Sequence, residues 1–142
     1  MNKNLIEENK NKPKDEIMKI NEIYLVKPIS SERYGKTDKF LFTFSMSGFT
    51  DPEWREIFVN NYDSDNIKFS GSELTITCKA NELEQIVTQI KDAMSSANKV
   101  YKERKEKLLK EIELYNQKEK DLENKKKQEE YEVKEMFKNF KI

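Results

Sequence analysis

The sequence predicts an α+β fold: a small, mostly antiparallel sheet of three or four strands, covered by a short helix and by the start of a long C-terminal helix that extends beyond the domain. Three observations support this prediction. Apolar and polar residues alternate along residues 40–46, an amphipathic pattern with a capping residue starts at Pro52, and neither Gly nor Pro occurs from Asn81 onwards. The alternation indicates a half-buried strand, and the other two features indicate helices.

The chain has 142 residues, which is enough for one globular domain. Residues 1–16 are rich in Asn, Lys and Glu. We expect them to form a flexible tail, with a turn of helix after Pro13, because they bury too little apolar surface to offset the entropy lost on ordering. Residues 17–101 carry the strand and turn patterns and form the predicted α+β core domain. Residues 102–142 form a predicted charged helical extension that could be a coiled coil.

The strand patterns begin at residue 22. Residues 22–29, EIYLVKPI, predict an edge strand that ends at Pro28, because proline offers no amide hydrogen to a neighbouring strand. Residues 30–39 predict a polar loop. Residues 40–46, FLFTFSM, alternate with a period of two and predict a half-buried strand. Residues 66–78 predict a hairpin that turns at Ser-Gly-Ser.

A short helix is predicted after Thr50 or Asp51, since either residue can cap a helix whose first position is Pro52. The apolar residues of this helix recur at the spacing of one helical face. They are Trp54, Ile57, Phe58 and Tyr62. This pattern favours Trp54 as a core anchor. A ligand platform built from Trp54 and the turn at Gly48 is the alternative.

The long helix is predicted to begin at Asn81, with Glu84 completing a capping box. As far as Tyr101 its apolar residues form a continuous stripe, which suits a helix lying on the sheet. Between residues 102 and 135, 22 of 34 residues are charged, 11 of each sign. An acidic residue precedes a lysine by four positions at several places, and each such pair stabilises an exposed helix by about 0.2–0.5 kcal/mol.

A sparse apolar seam with a 3.5-residue spacing runs through the extension, and we predict that it binds a partner chain. The candidate partner-binding residues are Tyr101, Leu108, Ile112, Tyr115, Leu122, Val133, Met136, Phe137 and Phe140. Charged residues such as Lys126 and Glu129 interrupt this seam, so the pattern is not that of a self-sufficient coiled coil. A single charged helix, a weak coiled coil and a docking element completed by another protein are all consistent with it. A break near Asn116 or Asn124 would give a helical hairpin instead.

The composition argues against several kinds of site. The chain has no histidine, which is the commonest general base and metal ligand, and Cys78 is its only cysteine. The three glycines are isolated, so there is no phosphate-binding glycine loop. Cys78 lies on an apolar strand face and is expected to be a core residue. Asp51, Asp63 and Asp65 are better explained by hydrogen bonds in turns than as metal ligands. We therefore expect no catalytic, metal-binding or cofactor-binding residues, and no cofactor.

Charge and hydropathy limit the expected partners. Lys and Arg balance Asp and Glu at 27 each, which removes the long-range field that binders of nucleic acid or acidic membranes use. No secretory signal and no membrane-spanning segment is predicted, so we expect a cytoplasmic protein without a membrane partner. The excess of Lys, Asn and Ile suggests an AT-rich bacterial or phage genome.

These observations predict a non-catalytic interaction protein. It would be a small accessory or adaptor subunit that binds itself or a larger protein through its long C-terminal helix. The alternative is a nucleic-acid-associated protein that uses the basic positions of the same helix. An enzyme with an unrecognised carboxylate site is the third hypothesis.

Overall fold

A computed structural model describes residues 3–17 and 22–141 of the chain. It confirms the predicted α+β fold, with four antiparallel strands, a short helix and a long C-terminal helix. In chain order the elements are α1 (Lys3–Asn9), α2 (Lys14–Ile17), β1 (Leu25–Arg33), β2 (Lys39–Met46), α3 (Pro52–Asn61), β3 (Ile67–Ser70), β4 (Glu73–Lys79), a 3₁₀ turn (Ala80–Glu82) and α4 (Leu83–Lys138).

The chain divides into two compact units. One is Lys19–Arg104, which we term the sheet unit, and the other is Met1–Met18 with Lys105–Ile142, which we term the helical unit. The predicted division at residues 16 and 101 stays a prediction. The predicted tail and core also include residues 1, 2 and 18–21, which lie outside the described ranges.

The sheet has the order β1-β2-β4-β3, so β1 and β3 are its edges. Strand β2 confirms the prediction for residues 40–46, and its alternating residues Phe42, Phe44 and Met46 pack in the core. The predicted hairpin is also confirmed as β3 and β4. Gly71 in its turn has a φ of 58°, a backbone conformation that glycine adopts without the steric cost of a side chain.

Strand β1 corrects two predictions. It continues past Pro28 to Arg33, through residues expected to belong to a polar loop. Because β1 is an edge strand, as predicted, Pro28 can lie in it without interrupting the ladder on both sides. The register against β2 shifts once before Pro28 and once after it, and these irregularities accommodate the missing amide hydrogen.

Helix α3 and the first part of α4 cover one face of the sheet. The Asp51 carboxylate accepts a hydrogen bond from the Trp54 amide at 2.8 Å, which confirms Asp51 as the cap of α3. Trp54 is only 2% exposed and stacks on Phe58 with ring centroids 5.4 Å apart. Trp54 is therefore a core anchor. The other buried residues of this core are Ile23, Met46, Ile57, Leu74, Ile76, Cys78, Ile90, Ala93, Met94, Ala97 and Tyr101.

The start of the long helix differs from the predicted capping box at Asn81 and Glu84. A 3₁₀ turn precedes α4, and the Glu82 carboxylate accepts a hydrogen bond from the Lys79 amide at 3.0 Å. This bond satisfies one of the amides that a helix leaves unpaired at its N-terminus. Helix α4 then continues for 56 residues without a break at Asn116 or Asn124.

Replacing Trp54 with Ala should lower the free energy of unfolding by about 3–5 kcal/mol, because the indole fills the core. The Trp54 Nε1 also donates a hydrogen bond to Asn98 Oδ1 at 2.9 Å. Trp54→Phe keeps a ring in the core and should cost less. Urea unfolding followed by circular dichroism measures both variants. A loss below about 1 kcal/mol for Trp54→Ala would argue against the core-anchor role.

Tyr101 is buried in the sheet unit, and its hydroxyl donates a hydrogen bond to the Asp51 carboxylate at 2.5 Å. Burial, followed by the hydrogen bond to Asp51, raises the pKa of the Tyr101 hydroxyl above its ordinary value of 10.0. In the unfolded chain the phenol loses its proton near that ordinary value, whereas the folded chain keeps the proton. The folded state then binds more protons, so stability is lost as the pH rises above 10.0.

The free energy of unfolding of the unmodified protein should therefore fall more steeply with pH than that of Tyr101→Phe between about pH 10 and pH 11.5. One proton accounts for a difference in slope of up to about 1.4 kcal/mol per pH unit. Urea titrations at a series of pH values compare the two proteins. Equal slopes would show that Tyr101 does not titrate in this way.

Candidate interaction surface

Helices α1 and α2 pack on α4 within the helical unit. Ile17, Leu109 and Ile112 are buried in one cluster, and Ile6 and Leu108 pack against it. This cluster is the apolar core of the helical unit. The contributions of Ile6 and Ile17 could not be predicted from the sequence, because isolated apolar residues in a charged segment give no periodic signal.

Polar contacts continue this packing towards the middle of α4. The Tyr115 hydroxyl donates a hydrogen bond to the Glu7 carboxylate at 3.1 Å, and the Lys10 ammonium lies 5.5 Å from the centroid of the Tyr115 ring. The Asn116 side chain donates to the Lys10 carbonyl oxygen at 3.2 Å. Hydrogen bonds to Glu119 and Glu7 raise the pKa of Tyr115 to about 12. Together these contacts hold α1 against one stretch of α4.

The structure places the nine predicted partner-binding residues in two groups. Tyr101 lies in the core of the sheet unit, and Leu108, Ile112 and Tyr115 contact other residues of the helical unit. The other five are exposed to solvent, with exposed fractions of 56% for Leu122, 52% for Val133, 62% for Met136, 75% for Phe137 and 67% for Phe140. The role of these residues in binding stays a prediction.

The exposed residues share one face of α4. At about 100° per residue, Leu122, Val133, Met136 and Phe137 lie within an arc of about 100°. Phe140 follows in the closing turn, where its amide donates to the Phe137 carbonyl oxygen at 3.1 Å. Val133, Met136, Phe137 and Phe140 adjoin one another, and a group of exposed apolar residues of this kind is typical of an interaction surface.

Two charged residues, Lys126 and Glu129, lie on the same face and precede Val133. Among the residues that the structure describes, neither of them forms an ion pair. By contrast, Lys127 pairs with Glu123 at 3.4 Å. We term the whole face the distal seam, and its members are Leu122, Lys126, Glu129, Val133, Met136, Phe137 and Phe140.

The part of the chain that the structure describes contains neither a candidate metal site nor a candidate membrane-spanning helix. Within residues 3–17 and 22–141, acidic and Cys side chains do not form a group of three or more that could hold a metal ion. In the same described part, no helix has both the length and the apolar content needed to cross a membrane. Comparisons with protein-family models, with curated proteins and with solved structures find no match. The function is therefore inferred from the residues of the distal seam themselves.

Two alanine substitutions on the same side of α4 should have different effects in the monomer. Ile112→Ala removes part of a buried cluster and should weaken the packing of α1 by about 2–4 kcal/mol. Leu122 is 56% exposed, so Leu122→Ala should leave that packing unchanged. Hydrogen exchange of residues 3–9, measured by mass spectrometry at low protein concentration, compares the two. Equal protection of these residues in both variants would contradict the arrangement described for the helical unit.

Proposed function

We propose that this protein is a non-catalytic interaction protein, a small accessory or adaptor subunit. Its distal seam binds a second protein chain, which is either another copy of itself or a larger partner. One observation carries the proposal. Within eight residues near the end of α4, four apolar side chains are each more than half exposed; they are Val133, Met136, Phe137 and Phe140.

The spacing of these four residues supports binding along a helix. They occupy positions i, i+3, i+4 and i+7, which is the pattern of anchors by which an amphipathic helix enters a groove or joins a bundle. Phe and Met are among the residues enriched at the centres of protein interfaces. Four such side chains in one patch are therefore well suited to act as anchors.

The stability of the helix does not require these apolar residues. Ion pairs such as Lys127 with Glu123, together with residues of high helix propensity, favour an exposed helix without any apolar side chain. Apolar surface left in water costs about 25 cal/mol for each Å² that a partner could have covered. Phe137 and Phe140 thus raise the free energy of the isolated chain, and binding to a partner would remove that cost.

Exposed apolar residues also occur in the sheet unit, but they lack this regularity. They lie on or beside β1, in the loop before α3 and on α3, and they are Tyr24, Val26, Ile29, Tyr34, Phe49 and Val59. Apolar atoms contribute much of the surface of any folded protein, so scattered exposed residues need no binding partner to explain them. The distal seam is the better candidate because its residues recur on one helical face.

Association with nucleic acid is the alternative function. It would depend on the basic run Lys125–Lys127. Lys127 is already paired with Glu123, and acidic residues are interspersed along the same helix, so phosphate groups would have to compete with them. The apolar character of the distal seam favours a protein partner instead.

Replacing both Phe137 and Phe140 with Ser should weaken partner binding at least about tenfold, because truncating interface anchors costs 2 kcal/mol or more. Tyr131→Ser is the matched control, since Tyr131 is 61% exposed and lies on the opposite face of α4. Sedimentation velocity detects self-association, and affinity capture from the cell of origin detects a larger partner. Thermal unfolding of both variants should match that of the unmodified protein.

Binding that is lost in the Phe137/Phe140 variant and kept in Tyr131→Ser supports the distal seam as the binding surface. The proposal is wrong if neither self-association nor capture depends on Phe137 and Phe140.

A further inference from the structure

We infer that the distal seam pairs with the distal seam of a second copy of this chain in antiparallel orientation, with Lys126 of each copy facing Glu129 of the other. This inference rests on the proposed function and specifies its partner and register. It comes from the order of charged and apolar residues along the seam.

The seam follows a heptad pattern, with successive positions alternately four and three residues apart, as in a coiled coil. Glu119 precedes the distal seam on the same face of α4, and Phe137 lies beside the heptad positions. These positions are Glu119, Leu122, Lys126, Glu129, Val133, Met136 and Phe140. The two central positions carry opposite charges. In a packed pair of helices each of them needs an opposite charge across the interface, because an unpaired charge removed from water is strongly unfavourable.

A parallel pair of helices in register does not place an opposite charge across the interface from either Lys126 or Glu129. Each seam residue would face its own counterpart, so Lys126 would face Lys126 and Glu129 would face Glu129. Like charges at facing positions favour separation. The charges of the seam therefore disfavour parallel pairing in register.

An antiparallel pair places an opposite charge across from both central positions in one register. When Lys126 faces Glu129 of the second copy, the twofold symmetry repeats the same ion pair on the other side. Leu122 then faces Val133, and Met136 faces Glu119. A shift of seven residues in one direction instead places Glu129 opposite Glu119, and a shift in the other direction leaves Lys126 opposite Met136. Only the first of these three registers pairs both central charges.

The charged residues that lie on either side of the seam do not favour another register. In this pairing Lys125 faces Glu132 of the second copy, which is attractive, whereas Glu123 faces Glu130, which is repulsive. Glu123 is already paired with Lys127 of its own chain at 3.4 Å, so this repulsion is partly offset. The flanks are therefore balanced, and the central charges determine the register.

The contacts of α1 with α4 can be compared with the stretch of α4 that pairs with the second copy. Within the helical unit, the hydrogen bonds between α4 and the segment formed by α1 and Lys10 involve Tyr115 and Asn116. In this register the positions from Glu119 to Met136 face one another, and Phe140 faces Tyr115 of the second copy, at the edge of the α1 contacts. The second copy would thus cover the seam from Leu122 to Met136, beyond the residues of α4 that form hydrogen bonds with α1 and Lys10.

Disulfide crosslinking tests the orientation. We expect a mixture of Leu122→Cys and Val133→Cys chains to form a disulfide-linked heterodimer, while each variant alone does not. In the antiparallel register the two copies of residue 122 are about 16 Å apart along the helices, beyond the reach of a disulfide. The native Cys78 is buried, and burial raises the pKa of its thiol, so this thiol should not form a crosslink. The unmodified protein is therefore the negative control.

Charge reversal tests the register. Lys126→Glu and Glu129→Lys each place like charges opposite one another, and each should raise the dissociation constant of the dimer about tenfold. The double variant exchanges the two charges and restores both ion pairs in the antiparallel register, so it should return to within about threefold of the unmodified protein. Sedimentation equilibrium measures all four proteins, and circular dichroism verifies that their helix content is equal.

The outcomes separate this inference from the proposed function. Crosslinking of Leu122→Cys chains with one another would overturn the antiparallel orientation, and so would a double variant no tighter than the single ones. A chain that stays monomeric but captures another protein through Phe137 and Phe140 would overturn the inference and leave the proposed function standing. The absence of any interaction that depends on Phe137 and Phe140 would overturn both.

Discussion

The apolar side of α4 imposes the main constraint on this protein, because it needs cover along a helix of 56 residues. As far as Tyr101 the cover comes from the core of the sheet unit. Between Leu108 and Tyr115 it comes from α1 and α2 in the helical unit. Among the described residues, none buries the distal seam. Since the cost of exposed apolar surface grows with its area, this is the stretch of α4 where another chain gains most by binding.

Within the sheet unit, two polar side chains fix how α4 meets the rest of the core. The Asn98 side chain accepts hydrogen bonds from the Ile23 amide and from Trp54 Nε1, and it donates to the Ile23 carbonyl oxygen. Asp51 caps α3 and also accepts a hydrogen bond from Tyr101. Apolar contacts alone tolerate small sliding movements, whereas these directional bonds specify one position of α4 against α3 and the segment that leads into β1.

Features of the sheet unit that depend on neighbouring residues could be predicted from the sequence. Contacts between residues that are far apart in the chain could not. The period of two in β2, the hairpin turn at Gly71 and the Asp51 cap each depend on neighbours in the chain, so pattern reasoning found them. The extension of β1 beyond Pro28 depends on its edge position and on pairing with β2. The packing of Ile17 on Ile112 joins residues almost a hundred positions apart, and no local pattern reveals such a contact. For the same reason, the sequence pattern predicted the whole seam as a candidate surface, whereas the structure distinguishes the part that is covered from the part that is exposed.

The charged positions of the distal seam gain a physical role if the seam is an interface. Two apolar residues in place of Lys126 and Glu129 would give a stronger coiled coil, but one that pairs in either orientation and in several registers. Opposite charges at central positions lower the affinity and make the wrong pairings unfavourable. The cost of removing them from water keeps the association reversible. If the protein is the accessory subunit proposed above, a weak but oriented interface of this kind would let it bind one partner in one arrangement and dissociate again.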